Sequence, residues 1–226
     1  MIKRARLRVE ILKAESNQYA KYELFQRLNT GGMELSEQEV RNCVAIMLNI
    51  RFYEWLKGLS ENANFLATID QTEDAIKKGI AMELALRFIV FRNVPYSRGL
   101  DVHDYLKESL IELCTRDAFD FENEGTIFID TFTILNTALG ARTFKKWDGT
   151  GFRGKFLMSL FEVMAIGLSK ALHTIIRLDA TDRQRYLEER AKSIWDQQEF
   201  ITNSGSGVRG TTRLIHLIPF SDTFFN

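Results

Sequence analysis

Apolar residues recur at intervals of three and four along most of this chain, and this periodicity constrains its fold more than any other feature. In one segment, Ile80, Leu84, Phe88 and Phe91 follow one another at four, four and three residues. Such spacing places side chains on one face of a helix. We predict a helix that begins at Ser36 and further helices at about 51–60, 73–93, 102–116, 121–139, 154–173 and 181–199.

Residues that would interrupt long helices are scarce. Only Pro95 and Pro219 occur among 226 residues, while Gly140, Gly149 and Gly151 mark a connection between helices. The chain is 45% hydrophobic and 27% charged, as in an ordinary soluble globular protein. No apolar run approaches the length of a membrane span. The expected fold class is therefore mainly α, as a multi-helix orthogonal bundle.

One segment near the N-terminus has the period of a strand. From residue 5 to 12, charged residues alternate with Leu7, Val9 and Ile11, so one face would be apolar. A single strand cannot satisfy its own backbone hydrogen bonds. We therefore expect this strand to pair with strands that are absent or weakly signalled here, so that the chain begins inside a domain.

The composition excludes several kinds of site. Lys+Arg and Asp+Glu number 30 each, so any anionic partner must bind a local patch. Cys43 and Cys114 lack Cys-x-x-Cys spacing, and we expect both to be buried thiols in a reducing compartment. Since the sequence also contains no pattern of a signal peptide or membrane span, we predict a cytoplasmic protein. His103, His173 and His216 lie far apart in sequence, so no metal ligand is assigned.

A glycine turn between two helical patterns is the first candidate binding site. A predicted helix at 17–29 ends at the turn 30–32, and the next helix begins with Ser36 and Glu39, spaced as a capping box. Backbone amides of the turn and two guanidinium groups could bind an anion. The candidate anion-binding residues are Arg27, Asn29, Thr30, Gly31, Gly32, Arg41 and Asn42. The equally weighted alternative is that these residues have a purely structural role and hold two helices and a turn together.

Cations and aromatic residues alternate between residues 142 and 155, a mixture that allows phosphate contacts and base stacking. The candidate nucleic-acid contacts there are Lys145, Lys146, Trp147, Arg153 and Lys155. The alternative is a loop whose aromatic residues anchor it to the core. Arg209 and Arg213 follow a Gly/Ser stretch that could form a phosphate-binding nest or only a flexible linker.

No residue pattern in the sequence predicts catalysis. There is no Walker loop, no Gly-x-Ser-x-Gly elbow and no Cys-His nucleophile pair. Glu83 and Arg87 are four residues apart on a predicted helix, and we interpret them as a structural ion pair. We assign no catalytic residue and expect no cofactor in this chain.

Two runs resemble a known family: Phe-x-Arg-x-Asn-Thr-Gly-Gly from Phe25 to Gly32, and Leu-Ser-x-x-Glu-x-Arg-Asn from Leu35 to Asn42. They are similar to the GmrSD-type restriction-endonuclease N-terminal domain family, in which a ParB- and sulfiredoxin-like domain precedes a helical region. The Asp-Gly-Gln-Gln-Arg motif that the family carries for nucleotide-dependent activity does not occur in this sequence. The resemblance implies that residues 1–50 are the end of the ParB-like domain, that the strand at 5–12 is left over from this truncated α+β domain, and that residues 51–226 form a helical domain. It also implies that the full-length protein could bind a nucleotide.

The resemblance also implies a role in restriction of DNA or defence against phage. We expect a DNA-interacting or DNA-sensing component that is not catalytically complete alone and has DNA, a ParB-like N-terminal half or a partner nuclease as partners. The alternative is a helical interaction scaffold whose partner carries the nucleotide-dependent chemistry.

Overall fold

The computed structural model describes residues 35–96 and 99–225, and this part of the chain is mainly α-helical, which confirms the predicted fold class. The helices are α1 (Glu37–Leu48), α2 (Ile50–Ser60), α3 (Ala63–Ile69), α4 (Glu73–Lys77), α5 (Ile80–Asn93), α6 (Val102–Thr115), α7 (Phe121–Ala138), α8 (Met158–Leu160), α9 (Ile166–Ile175), α10 (Ala180–Ser193), α11 (Gln198–Ser204) and α12 (Gly210–Phe224). A π-helical turn (Phe161–Ala165) joins α8 to α9, and 3-10 turns follow α7 (Gly140–Arg142) and α10 (Ile194–Asp196).

Side-chain caps explain where the first two helices begin. Ser36 Oγ accepts a hydrogen bond from the Glu39 amide at 3.3 Å, and the Glu39 carboxylate accepts one from the Ser36 amide at 2.8 Å. The predicted capping box is therefore confirmed. Asn49 caps α2 through the Phe52 amide at 3.0 Å and donates to the Cys114 carbonyl at 3.1 Å, which ties α2 to the end of α6.

The predicted helix at 73–93 is two helices. Gly79 has a φ of 87°, a left-handed conformation that ends α4 and begins α5. Nearly every residue of α5 from Ala81 to Phe91 is buried, on all sides of the helix. α5 is therefore central, with helices packed around it.

A short hairpin lies just before the predicted helix at 154–173. The antiparallel strands β1 (Lys146–Trp147) and β2 (Phe152–Arg153) pair Lys146 with Arg153 and Trp147 with Phe152. Helical structure begins only at Met158, after the hairpin has turned back. The helix thus begins four residues after its predicted start. Gly154 has a φ of 87°, a left-handed conformation that ends the hairpin and does not begin a helix.

The C-terminal part of the fold also differs from the prediction. The helix expected at 181–199 ends at Ser193, and residues from Gln198 form the separate helix α11. α12 and α3 are helices that the periodicity analysis did not predict. α12 contains Pro219, which removes one backbone hydrogen bond, yet the helix continues because it packs against α9 and the π-helical turn.

A cluster of phenylalanines joins these helices in one core. Phe132 of α7 lies 4.7 Å from Phe65, 5.3 Å from Phe88 and 4.6 Å from Phe128 between ring centroids, and 6.3 Å from Phe161 of the π-helical turn. These rings belong to α3, α5, α7 and the turn before α9. Contact between elements so distant in sequence makes the aromatic cluster the centre of the fold.

Other predictions concern the N-terminal part and the thiols. The strand at 5–12 and the helix at 17–29 lie outside the described residues, so the domain boundary at residue 50 stays a prediction. Helix α1 lies before that boundary and packs against α2 and α6.

Of the two predicted buried thiols, Cys114 is buried and Cys43 is half-buried. Burial raises the pKa of the Cys114 thiol to about 12. Within residues 35–96 and 99–225, no helix has the length and apolar character needed to span a membrane.

Candidate functional site

Five charged side chains from four parts of the fold converge in its interior. Arg41 comes from α1, Glu83 and Arg87 from α5, Glu162 from the π-helical turn and Arg213 from α12. We call these residues the arginine cluster. Charged side chains are rarely buried unless they are paired, so this concentration marks the cluster as a candidate site.

Arg41 is the most deeply buried arginine of the cluster. Its side chain is 1% exposed, its Nε donates to Gln38 Oε1 at 3.0 Å, and its Nη2 lies 3.4 Å from Glu83 Oε2. Neither Nη1 nor Nη2 meets a hydrogen-bond acceptor in the described part of the chain. Burial lowers the pKa of Arg41, opposed by the charge of Glu83 and assisted by the charge of Arg87.

Glu83 is the carboxylate that Arg41 and Arg87 share. Arg87 donates to Glu83 Oε1 from Nε at 3.1 Å and from Nη2 at 2.7 Å, which confirms the ion pair predicted from the four-residue spacing. The Arg87 side chain is 7% exposed, and its Nη1 has no acceptor among the described residues. Burial acts to raise the pKa of Glu83, but Arg87 and Arg41 outweigh it and lower that pKa.

Glu162 and Arg213 form the second pair of the cluster. Arg213 Nε and Nη2 donate to the two oxygens of Glu162 at 2.9 and 3.1 Å, a bidentate geometry. The Glu162 side chain is 0% exposed and that of Arg213 is 20% exposed. Burial raises the pKa of Glu162, while the bonds and charge of Arg213 and the charge of Arg87 oppose the rise. A π-helical turn often marks a functional site, and here it carries the buried carboxylate.

With all five groups ionised, three guanidinium groups face two carboxylates, so the cluster carries an excess positive charge. Three of its buried nitrogens also lack an acceptor within the described structure: Arg41 Nη1, Arg41 Nη2 and Arg87 Nη1. A buried donor without a partner costs about 1–3 kcal/mol. The cluster is therefore short of negative charge and of hydrogen-bond acceptors.

The structure brings together two residues that the sequence placed in different candidate sites. Arg41 was a candidate for anion binding and Arg213 for nucleic-acid contact, and both belong to the arginine cluster. Asn42 accepts a hydrogen bond from Gln38 at 2.8 Å, and Arg209 is exposed just before α12. The other predicted anion-binding residues, at positions 27 and 29–32, lie outside the described residues.

The predicted nucleic-acid contacts at 145–155 gather on and beside the β1–β2 hairpin. Lys146, Arg153 and Lys155 are exposed, and Trp147 is half-buried against Phe152, with ring centroids 5.0 Å apart. Phe144 just before the hairpin is buried and packs on Phe156 and Phe161 at 5.4 Å each. Both sequence-based interpretations therefore apply in part: Phe144 anchors the segment, while its cations remain at the surface.

Ion pairs neutralise part of the positive charge of the hairpin. Lys145 Nζ lies 2.6 Å from Asp70, and Arg153 Nε lies 3.1 Å from Asp148. Hydrogen bonds from the backbone and hydroxyl of Thr150 lower the pKa of Asp148 to about 2, so this carboxylate stays ionised. Lys146 and Lys155 form no ion pair among the residues that the structure describes. Of the hairpin cations that the structure describes, these two lysines are therefore the ones that no carboxylate neutralises.

Two cation–π contacts fasten the hairpin to the end of α10. Lys146 Nζ lies 5.5 Å from the Trp195 ring centroid, and Lys192 Nζ lies 5.1 Å from that of Trp147. Lys192 and Trp195 lie about 45 residues from the hairpin, so no local pattern in the sequence predicts their contact with it. The result is two lysine–tryptophan contacts that join the hairpin to residues at the end of α10 and just after it.

The described residues hold no group of three or more His, Cys, Asp or Glu side chains arranged to bind a metal ion. His103 and His173 are exposed at separate places, and His216 Nδ1 lies 3.0 Å from Glu199. His103 acts on the arginine cluster only through its charge, which lowers the pKa of Glu83.

No protein-family model, no curated protein and no solved structure matches this chain.

Proposed function

We propose that this chain is a DNA-interacting or DNA-sensing component of a restriction or anti-phage system and is not catalytically complete alone. The observation that carries the proposal is the β1–β2 hairpin, where Lys146, Lys155 and Arg153 are exposed beside Trp147. Exposed cations with an adjacent aromatic ring are the combination that binds a phosphate backbone and stacks on bases.

The contacts of the hairpin support a particular mode of DNA binding in this proposal. Lys155 would contact phosphate directly. Lys146 would leave its cation–π contact with Trp195, and Arg153 would exchange its pair with Asp148. Lys192 and Phe152 both contact the Trp147 ring, so it would stack on a base only through the part of the ring that they leave exposed. We therefore expect modest affinity that is dominated by phosphate contacts and has little sequence preference.

The assignment to restriction or defence is supported by the resemblance of residues 25–42 to the GmrSD-type family. In this proposal, a ParB-like half or a partner nuclease supplies the nucleotide-dependent chemistry, and the protein acts in the cytoplasm.

DNA binding is tested by fluorescence anisotropy with a labelled duplex and a labelled single strand over a series of KCl concentrations. We expect the logarithm of the association constant to fall linearly with the logarithm of salt concentration, with a slope of about −0.9 for each duplex phosphate contact. In a Lys146→Ala, Lys155→Ala double variant, that slope should be less negative by the amount that corresponds to about two phosphate contacts. Trp147→Ala should weaken single-strand binding by about 1–3 kcal/mol and leave the slope unchanged.

The matched control removes two lysines elsewhere. Lys57 and Lys77 are exposed on α2 and α4, each paired with a glutamate one turn away. A Lys57→Ala, Lys77→Ala variant has the same net charge as the hairpin variant and should bind DNA like the wild type. Binding that is absent, independent of salt or equally weakened in both double variants would reject the proposal in favour of the interaction scaffold.

A further inference from the structure

The arginine cluster contains more hydrogen-bond donors than its described neighbours can accept. Arg41 and Arg87 are each more than nine-tenths buried, and together they hold three terminal nitrogens without an acceptor. Folded proteins pair nearly all such buried groups. A ligand that supplies acceptor oxygens would complete these hydrogen bonds.

The same place also lacks negative charge. Glu83 is shared by both arginines, and Glu162 is already held by two bonds from Arg213. Gln38, the other acceptor for Arg41, is neutral. Of the remaining groups that act on the cluster, Glu37 is exposed one helical turn before Arg41, and His103 would add positive charge if protonated. A ligand that balances this excess positive charge must be an anion.

The positions of the two arginines narrow the choice of anion. Arg41 Nη2 lies 3.4 Å from one oxygen of Glu83, and Arg87 Nη2 lies 2.7 Å from the other, so the two guanidinium groups flank one carboxylate. The three nitrogens without a hydrogen-bond acceptor belong to arginines from two helices, so a single ligand that accepts from both arginines needs oxygens in more than one direction. A tetrahedral oxyanion does so, whereas a carboxylate offers two oxygens in one plane.

We propose that Arg41 and Arg87 form a binding site for a phosphate group. Glu83 positions both guanidinium groups, and the Glu162–Arg213 pair borders the site. The side chains of Glu83 and Arg213 are each 20% exposed, so the cluster reaches solvent at its edge. This site is separate from the hairpin and does not depend on DNA binding there. The phosphate is either a free inorganic ion or the phosphate of a nucleotide.

The test uses the whole chain in isothermal titration and thermal unfolding with four probes: inorganic phosphate, a nucleoside monophosphate, sodium acetate, and sodium chloride at matched ionic strength. We expect saturable binding of phosphate and a rise in the unfolding temperature that chloride does not reproduce. Acetate should bind more weakly. Binding of inorganic phosphate identifies the free ion as sufficient, and binding of the nucleoside monophosphate alone identifies the nucleotide as the source.

Variants locate the binding at the cluster. Arg87→Lys retains the charge but removes the free Nη1, and we expect it to weaken phosphate binding about tenfold or more. Arg41→Lys should act in the same way. Arg185→Gln, which removes an exposed arginine paired with Asp182, is the control and should bind like the wild type.

Three results would contradict the proposed phosphate site. They are a wild-type chain that binds neither phosphate nor the nucleoside monophosphate, a thermal shift that chloride matches, and binding that survives in both lysine variants. Because the wild-type titration needs no variant, the first two results are informative even if a variant fails to fold. A Lys146→Ala, Lys155→Ala chain should retain phosphate binding, so failure of the DNA proposal and failure of this one are distinguishable.

Discussion

Glu83 and Glu162 are both buried beside arginines, yet their pKa values shift in opposite directions. Burial acts to raise both, but Glu83 is contacted by two arginines and its pKa falls, whereas the fully buried Glu162 has one arginine in contact and its pKa rises. For Glu83, the unfolded chain binds the proton more readily than the folded chain. Its contribution to stability is therefore present above its ordinary pKa and is lost as the pH falls through its folded pKa. The raised pKa of Glu162 acts oppositely, so its contribution decreases as the pH rises above 4.5.

Replacement of Glu83 tests this argument. Glu83→Gln leaves Arg41 and Arg87 without their shared carboxylate, and we expect a loss of about 3–5 kcal/mol in the free energy of unfolding at pH 7. Below pH 4.5 the difference between wild type and variant should shrink, because Glu83 takes up a proton in the unfolded chain at a higher pH than in the folded chain, where its pKa is lowered. Urea unfolding at pH 7, 5 and 3.5 measures both effects, with Glu73→Gln on the exposed surface as the control. A difference that stays constant with pH would contradict the assigned shift.

Two helical glycines differ in what surrounds them, and the contrast shows where helices approach closely. A Cβ on Gly167 of α9 would lie 2.5 Å from the Phe225 ring and 2.7 Å from the Ser221 carbonyl oxygen, whereas a Cβ on Gly58 of α2 would meet nothing within 4 Å. The missing side chain at Gly167 is what allows α12 and the residue after it to pack on α9. This contact also holds Arg213 near Glu162, because α12 carries Arg213 and the π-helical turn leads directly into α9.

The pair of glycines provides a matched experiment. Gly167→Ala should destabilise the fold by about 1–3 kcal/mol, since backbone and ring must move apart. Gly58→Ala should be neutral or stabilise by about 0.4–1 kcal/mol, because alanine restricts the unfolded chain and meets no obstacle in α2. Chemical denaturation of both variants measures the difference. Equal effects of the two substitutions would show that α9 and α12 do not approach closely.

The whole molecule is joined by contacts between elements that are far apart in sequence. Phe132 touches rings from α3, α5 and the π-helical turn, and Arg92 of α5 donates to Glu124 of α7 at 3.0 and 3.2 Å and to Ser169 of α9 at 2.8 Å. With one shared core and a polar network across three helices, the described residues should unfold as one unit.

Phe132→Ala tests whether the core is shared. Truncation of this fully buried ring should cost about 3–5 kcal/mol. Circular dichroism reports all helices, and tryptophan fluorescence reports Trp55 of α2, Trp147 of the hairpin and Trp195 after α10. The midpoints of the unfolding transitions measured by both signals should shift to lower denaturant concentration by the same amount. A fluorescence transition that stays at the wild-type midpoint while the helical signal shifts would indicate separate units.

The sequence was sufficient to predict features that depend on neighbours a few residues away. The mainly helical class, the Ser36–Glu39 capping box and the Glu83–Arg87 pair all follow from the 3.6-residue helical period and from bonds within one turn. The same rules missed the break at Gly79 and the helix α12, because apolar spacing alone does not locate a turn and packing overrides an internal proline.

The candidate sites required the three-dimensional fold. Glu162 and Arg213 are 51 residues apart, and Lys192 reaches Trp147 from another element, so no local pattern relates them. Burial is also a property of the packed molecule: the sequence shows an arginine at position 41, but only the surrounding helices remove it from water and leave its Nη1 and Nη2 without acceptors. Local periodicity determines which segments become helices. Packing between distant helices determines which charged side chains come into contact and which of their hydrogen-bond donors are buried without an acceptor.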